Sequence, residues 1–149
     1  MRSAPSYRAN LPALILLVDD NRDGVIARRS VLEELGYTVA SAASGFEALE
    51  SVERQAFDLI VTDYKMAPMN GLELIRKLRE RNFLNPIILL TGFADSLGLS
   101  AQDTGADIVI QKSANEVTNL VRNAKRLLTT PKKPPGSQPP RSRKAGNES

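Results

Sequence analysis

The chain has 149 residues, enough for one domain with a core and an extension. It holds no cysteine and no histidine, which excludes disulfides, thiolate or imidazole metal sites, a Ser-His-Asp triad and histidine acid–base work, and leaves only hard, oxygen-bound ions as candidate metals. The formal charge of +3 originates after Pro131, where Lys132, Lys133, Arg141, Arg143 and Lys144 face only Glu148; the remainder stands at −1, so the basic balance does not mark the folded part as a nucleic-acid binder.

The first apolar run is Leu14 to Val18, continuous as in a strand buried on both faces. With Leu11 and the preceding Arg2 and Arg8 it imitates a signal peptide. It stops at Asp19-Asp20 without a small-residue cleavage site, so it reads as a strand, and no membrane span is expected. A helix is predicted from Asp23 to Leu35, with Val25, Val31, Leu32 and Leu35 on one face and Gly36 as its C-terminal cap. Arg28 falls inside that apolar stripe and is expected to snorkel to solvent.

Tyr37 to Ser41 reads as a second strand. Ser44 and Glu47 form a capping box that opens a second helix through Leu49 and Val52. Leu59 to Thr62 is a third strand, ending at Asp63. Asn70 caps a third helix, with Glu73 three residues on and Leu74, Ile75 and Leu78 facing inward. Met66 and Met69, in the intervening loop, read as packing residues. Pro86 to Leu90 and Asp107 to Ile110 are the fourth and fifth strands. Between them Ala94 to Thr104 is expected to be helical, although it holds Gly98 and little apolar periodicity. Ser113 and Glu116 form another capping box, before a helical face of Val117, Leu120, Val121, Ala124 and Leu128.

This alternation predicts an α/β fold, a parallel sheet covered on both faces. It divides the chain into an N-terminal extension over 1–12, a domain over 13–129, and a basic Pro-rich tail over 130–149 that is expected to be disordered.

Parallel strands share one C-terminal edge, so the residues that end them should converge. The first strand ends in Asp19-Asp20, the third at Asp63, the fourth at Thr91 and the fifth near Lys112. Two carboxylates about 4 Å apart repel by roughly 4 kcal/mol at an effective dielectric near 20. Such a pocket calls for a cation, met by a divalent oxygen-seeking ion with Lys112 as a second positive group. It could take a phosphoryl group onto Asp63 as an acyl phosphate, with the Thr91 hydroxyl and Lys112 holding the phosphoryl oxygens.

In these residues the sequence resembles the receiver (CheY-like) domain of two-component response regulators. The resemblance rests on LILLVDDN, DLIVTDYKMAPMNGLEL, IILLTGFAD and GADIVIQKS, in that order, and covers about Leu14 to Leu128. It implies a flavodoxin-like (βα)5 fold with a five-stranded parallel sheet in order 2-1-3-4-5. It implies a cytoplasmic phosphoacceptor rather than an enzyme. Asp63 would receive phosphate from a sensor histidine kinase or a histidine phosphotransfer protein and so alter the surface offered to a downstream protein, with no specific nucleic acid as partner. Mg²⁺ (or Mn²⁺) would be held by Asp20, Asp63 and the backbone carbonyl of Lys65, with Asp19 acting through water. Thr91 and Lys112 would bind the phosphoryl oxygens.

Three positions depart from the family pattern. Ser113 stands where a proline usually follows the lysine, so a trans bond and a helix-capping Ser113 are expected. Val109 stands where the fifth strand usually carries a switching Tyr or Phe. The proline of Met66-Ala67-Pro68 is displaced by one. Lys65 and Phe93, each two residues past a site residue, are expected at the mouth of the pocket, where they could shield an acyl phosphate from water. Without an attached effector fold, the leading expectation is a single-domain response regulator. The alternatives are a receiver-like binding module with impaired switching, and an aspartyl-phosphate hydrolase. The hydrolase would ordinarily have a second Asp at the position of Lys65. A flavodoxin is a further alternative, but Asp19-Asp20 would repel its cofactor's phosphate.

Overall fold

The computed structural model describes residues 12–92 and 100–129. The expectations for the N-terminal extension up to residue 11, for Phe93, for residues 94–99 and for the tail from 130 lie outside the described residues. Five strands, β1 (Leu14–Val18), β2 (Thr38–Ala42), β3 (Leu59–Asp63), β4 (Ile87–Thr91) and β5 (Ile108–Gln111), alternate with five helices. These are α1 (Arg22–Glu34), α2 (Gly45–Arg54), α3 (Gly71–Glu80), α4 (Ala101–Thr104) and α5 (Glu116–Thr129). The sheet is parallel throughout in the order β2-β1-β3-β4-β5, as expected.

The apolar runs explain this order. Every residue of β3 and β4 is buried, whereas β2 and β5 alternate with exposed positions, as edge strands do. Along each strand, successive side chains point to opposite faces. Leu16, Ile60, Ile87 and Leu89 pack with Leu49, Leu74, Ile75 and Leu78, so α2 and α3 cover one face. Ile15, Leu17, Val61, Ile88 and Leu90 pack with Leu32, Leu120 and Ala124, so α1 and α5 cover the other.

The helix ends follow local chemistry in three of four predicted cases. Gly36, at φ 99°, closes α1: its N–H donates to the Glu33 carbonyl (2.9 Å) and the Tyr37 N–H to that of Leu32 (3.3 Å). Asn70 and Glu73 form a reciprocal capping box, both bonds at 2.9 Å. At α2 the Ser44 hydroxyl accepts from the Glu47 N–H, but the Glu47 carboxylate reaches one residue further back, to the Ala43 N–H (2.7 Å).

The fourth case is a correction. Ser113 does not cap α5 with Glu116 in a capping box. Its hydroxyl accepts from the Asn115 N–H at 3.2 Å, and the Glu116 carboxylate turns instead to Arg28, 88 residues away in the chain. Arg28 likewise does not snorkel: it is buried inside the stripe of α1. Leu35 and Val117, expected on inward faces, are exposed; one caps the C-terminal end of α1 and the other lies in the first turn of α5. Of the expected Ala94–Thr104 helix, the described part is helical over Ala101–Thr104. The peptide bond before Ser113 is trans, as expected; among the described residues only Ala67–Pro68 is cis.

Candidate functional site

The ladder hydrogen bonds that continue past the strand ends bring the predicted residues together. The Asp19 N–H donates to the Ala42 carbonyl (3.1 Å), the Tyr64 N–H to Leu90 (2.8 Å) and the Lys112 N–H to Thr91 (2.7 Å). Asp19, Asp63, Thr91 and Lys112 are thereby fixed along one edge of the sheet. Carboxylate oxygens of Asp19, Asp20 and Asp63 lie within 4.8 Å of one another. Asp19 and Asp63 are each 5% exposed, whereas Asp20 faces solvent.

Burial pushes the Asp63 carboxyl above the ordinary carboxylate range, and the negative charge of Asp19 adds to this. The Lys112 ammonium, 2.5 Å from Asp63 Oδ1, pulls against it. Thr91 is fully buried at the end of β4, and its hydroxyl has no hydrogen-bond partner among the described residues. A buried hydroxyl left unpaired costs about 1–3 kcal/mol, so this orphan is a donor or acceptor held ready for a polar group in the pocket.

The loop after β3 is pressed against the site. A Cβ on Gly71 would collide with the Asp63 carbonyl oxygen and lie 2.9 Å from Tyr64 Cα. A Cβ on Gly45 would come 3.1 Å from Met69 Cγ. Glycine at both positions lets the loop fold back with Met66 and Met69 buried in the core, the packing role expected of them. Lys65, at the crest of this loop, is exposed. Val109 is half-buried against the core on the α2 and α3 face.

Sequence reasoning missed two residues at the site. Arg28 Nη1 lies 2.8 Å from Asp19 Oδ2, and its Nε lies 2.6 Å from Glu116 Oε2. Burial would lower the Arg28 pKa, but Glu116 and then Asp19 outweigh it and hold the guanidinium charged. The overlooked signal was Arg28 itself. A permanently charged side chain in the middle of an apolar stripe implies a buried anion opposite it.

The chain matches the response regulator receiver domain over residues 15–123. It belongs to that family. It is similar to the transcriptional regulatory protein ZraR of Escherichia coli K12, 36% identical over 93 residues, which cover 62% of this chain and 21% of ZraR. It is also similar to the sensor protein EvgS of the same strain, 43% identical over 82 residues, 55% of this chain and 7% of EvgS. The chain thus spans about a fifth of the first of these relatives and under a tenth of the second. The solved structure of response regulator TrrA from Thermotoga maritima, in complex with Mg²⁺–BeF, matches with a TM-score of 0.70 at 32% identity. That match covers 78% of this chain and 99% of TrrA.

The receiver domain is therefore a CheY-like, flavodoxin-like module of two-component signalling. Receiver domains take phosphoryl groups from histidine kinases or phosphotransfer proteins and bind Mg²⁺ through an acidic pocket, and the three aspartates form such a pocket here. Among the described residues, no helix is long and apolar enough to cross a membrane.

Proposed function

We propose that this receiver domain accepts a phosphoryl group on Asp63 from the phosphohistidine of a sensor histidine kinase or a histidine phosphotransfer protein, in the cytoplasm. An Asp63 carboxylate oxygen attacks phosphorus as the phosphorus–nitrogen bond breaks. The imidazole nitrogen leaves with the electron pair, and an acyl phosphate remains on the chain. What carries this reading is the combination at one strand edge of a buried carboxylate, an ammonium 2.5 Å from it and a buried hydroxyl with no partner. Lys112 and Thr91 hold the oxygens of the incoming phosphoryl group, Lys112 by charge and Thr91 by the hydroxyl that the folded chain leaves unpaired.

The donor set fits a hard divalent ion. It offers three carboxylates and neither thiolate nor imidazole. Asp20, Asp63 and the Lys65 carbonyl would hold Mg²⁺ or Mn²⁺, with Asp19 acting through water. The ion, when bound, neutralises negative charge on the transferring group and the pocket. Phosphorylation then changes the surface that a downstream protein meets. Lys65 shields the product, because its long side chain at the loop crest can cover the approach of water to phosphorus.

The test is intact-mass analysis after incubation with a small phosphodonor and Mg²⁺. One added phosphoryl group is expected in the wild type and none in Asp63→Ala. Equal labelling of the variant would move the acceptor elsewhere.

A further inference from the structure

Arg28 is placed to act on the ion rather than on the phosphoryl group. Its guanidinium contacts two carboxylates through different nitrogens: Nη1 meets Asp19 Oδ2 at 2.8 Å, and Nε meets Glu116 Oε2 at 2.6 Å. The other Asp19 oxygen accepts from the Asn21 N–H at 2.9 Å. Both oxygens of Asp19 are thus engaged by donors of the chain itself. A cation drawn to the three aspartates finds Asp19 already paired with Arg28, as Asp63 is with Lys112.

The backbone makes room for this pairing. A Cβ on Gly24, one turn before Arg28, would stand 2.9 Å from Arg28 Nη1 and 3.1 Å from Asp19 Oδ2. A side chain at this position would press on both members of the ion pair. Glu116 supplies the other half of the arrangement. It gives up the capping bond its position invites and faces the buried guanidinium from the first turn of α5.

A buried arginine cannot be left without an anion, since stranding one costs several kcal/mol. Here it cannot be stranded by the loss of Asp19, because Glu116 remains. Asp19 is therefore free to exchange its guanidinium for a water of the ion's shell. The charges agree with that exchange. Asp19, Asp20, Asp63 and Glu116 against Arg28 and Lys112 leave two negative charges, which one divalent ion neutralises.

We propose that Arg28 competes with the divalent ion for Asp19, so that ion binding breaks the Arg28–Asp19 pair and leaves the guanidinium on Glu116. This rests on the metal reading of the pocket given above. It makes the ion bind more weakly than the three aspartates alone would allow. It also ties ion occupancy to the first turn of α5, which carries Glu116. Arg28 is then a positioning residue that sets ion affinity.

The experiment is calorimetric titration of the full chain with Mg²⁺ alone, in four forms: wild type, Arg28→Met, Glu116→Gln and the double variant. Arg28→Met is expected to bind Mg²⁺ about tenfold tighter, the scale of one charge-assisted hydrogen bond. Glu116→Gln is expected to bind about threefold weaker, because the guanidinium then has only Asp19. In the Arg28→Met background, Glu116→Gln should change nothing. Weaker or equal binding by Arg28→Met overturns the competition. The same weakening by Glu116→Gln in both backgrounds also overturns it, since Glu116 would then act by its charge alone. If Arg28→Met does not fold, Glu116→Gln decides by itself, and unchanged or tighter binding overturns the idea. Absence of Mg²⁺ binding in every form would instead remove the metal reading on which the competition rests.

Discussion

The pocket has two halves that differ in how their polar groups are satisfied. On the β1 side, Asp19 is paired with Arg28, Arg28 with Glu116, and the second Asp19 oxygen with a backbone N–H. On the β3–β4 side, the Thr91 hydroxyl has no partner among the described residues, and burial drives the Asp63 carboxyl upward against the pull of Lys112. The first half is closed by contacts within the chain. The second half carries an unpaired hydroxyl and a carboxylate with a single cation, an arrangement completed by something added to it. Unsatisfied buried groups are costly in a stable fold and useful in a site, and the Thr91 hydroxyl stands where the phosphoryl group is proposed to arrive.

The largest predicted effect breaks the open half. Lys112→Ala removes the ammonium from Asp63 and should slow phosphorylation by a small phosphodonor about 10²–10³-fold, the scale for losing one preorganised charge stabiliser. Single-turnover labelling at saturating Mg²⁺ measures it. A rate within a factor of two of wild type would deny Lys112 any part in the transfer.

Next comes Thr91, which should separate stability from function. Thr91→Val replaces the orphan hydroxyl by a methyl group of similar volume. The metal-free protein should gain up to about 1 kcal/mol, because no hydrogen bond is lost and an unpaired buried hydroxyl disappears. Phosphorylation should slow about tenfold, the worth of one hydrogen bond to a charged group. Thr91→Ser should restore most of the rate. Chemical denaturation and labelling read the two effects. Destabilisation by Thr91→Val would mean that the hydroxyl has a partner after all.

A third prediction concerns pH. Burial raises the folded-state pKa of Asp63 above its unfolded value, so in the intervening range the folded chain holds a proton that the unfolded chain has lost. Stability of the metal-free protein should therefore fall as pH rises from the ordinary carboxylate range through the folded value, and remain reduced above it. Asp63→Asn removes this loss and should raise the metal-free melting temperature at neutral pH by a few degrees. The gain should vanish in strong acid, where Asp63 is protonated in both states. Melting curves across pH in chelator measure it, and a variant less stable than wild type at neutral pH would contradict the sign.

The two halves also differed in how plainly the sequence announced them. The open half was legible because each of its residues follows an apolar run. Leu59 to Thr62 and Ile87 to Leu90 are buried on both faces, so their C-terminal ends place Asp63 and Thr91 on one edge before any contact is known. In the closed half Asp19 was legible in the same way, but its pairing was not, because local rules gave answers that a long-range pair overrode. Ser113 and Glu116 have the spacing of a capping box, and Arg28 has the aliphatic stem of a snorkelling side chain. Neither rule sees across the 88 residues between Arg28 and Glu116. A capping bond to a backbone N–H at the surface is worth about 1 kcal/mol, whereas leaving a buried guanidinium unpaired costs several, so Glu116 goes to Arg28.

The smallest predicted effect sharpens the comparison from the outside of the open half. Lys65 stands exposed on the loop that Gly71 and Gly45 allow to fold back over Asp63. Hydrolysis of an acyl phosphate needs a water in line with phosphorus. A long side chain tipped with an ammonium can stand in that path and bind a phosphoryl oxygen, and it cannot serve as a base for the water while charged. Lys65→Ala should therefore hasten decay of the phosphorylated protein by roughly threefold, the worth of one exposed ionic contact. Decay is followed by intact mass at saturating Mg²⁺, so that any change in ion affinity drops out. The effect should shrink at high salt, which screens the ammonium but leaves its bulk. A decay rate that is unchanged or slower in the variant would show that Lys65 points away from the acceptor and shields nothing.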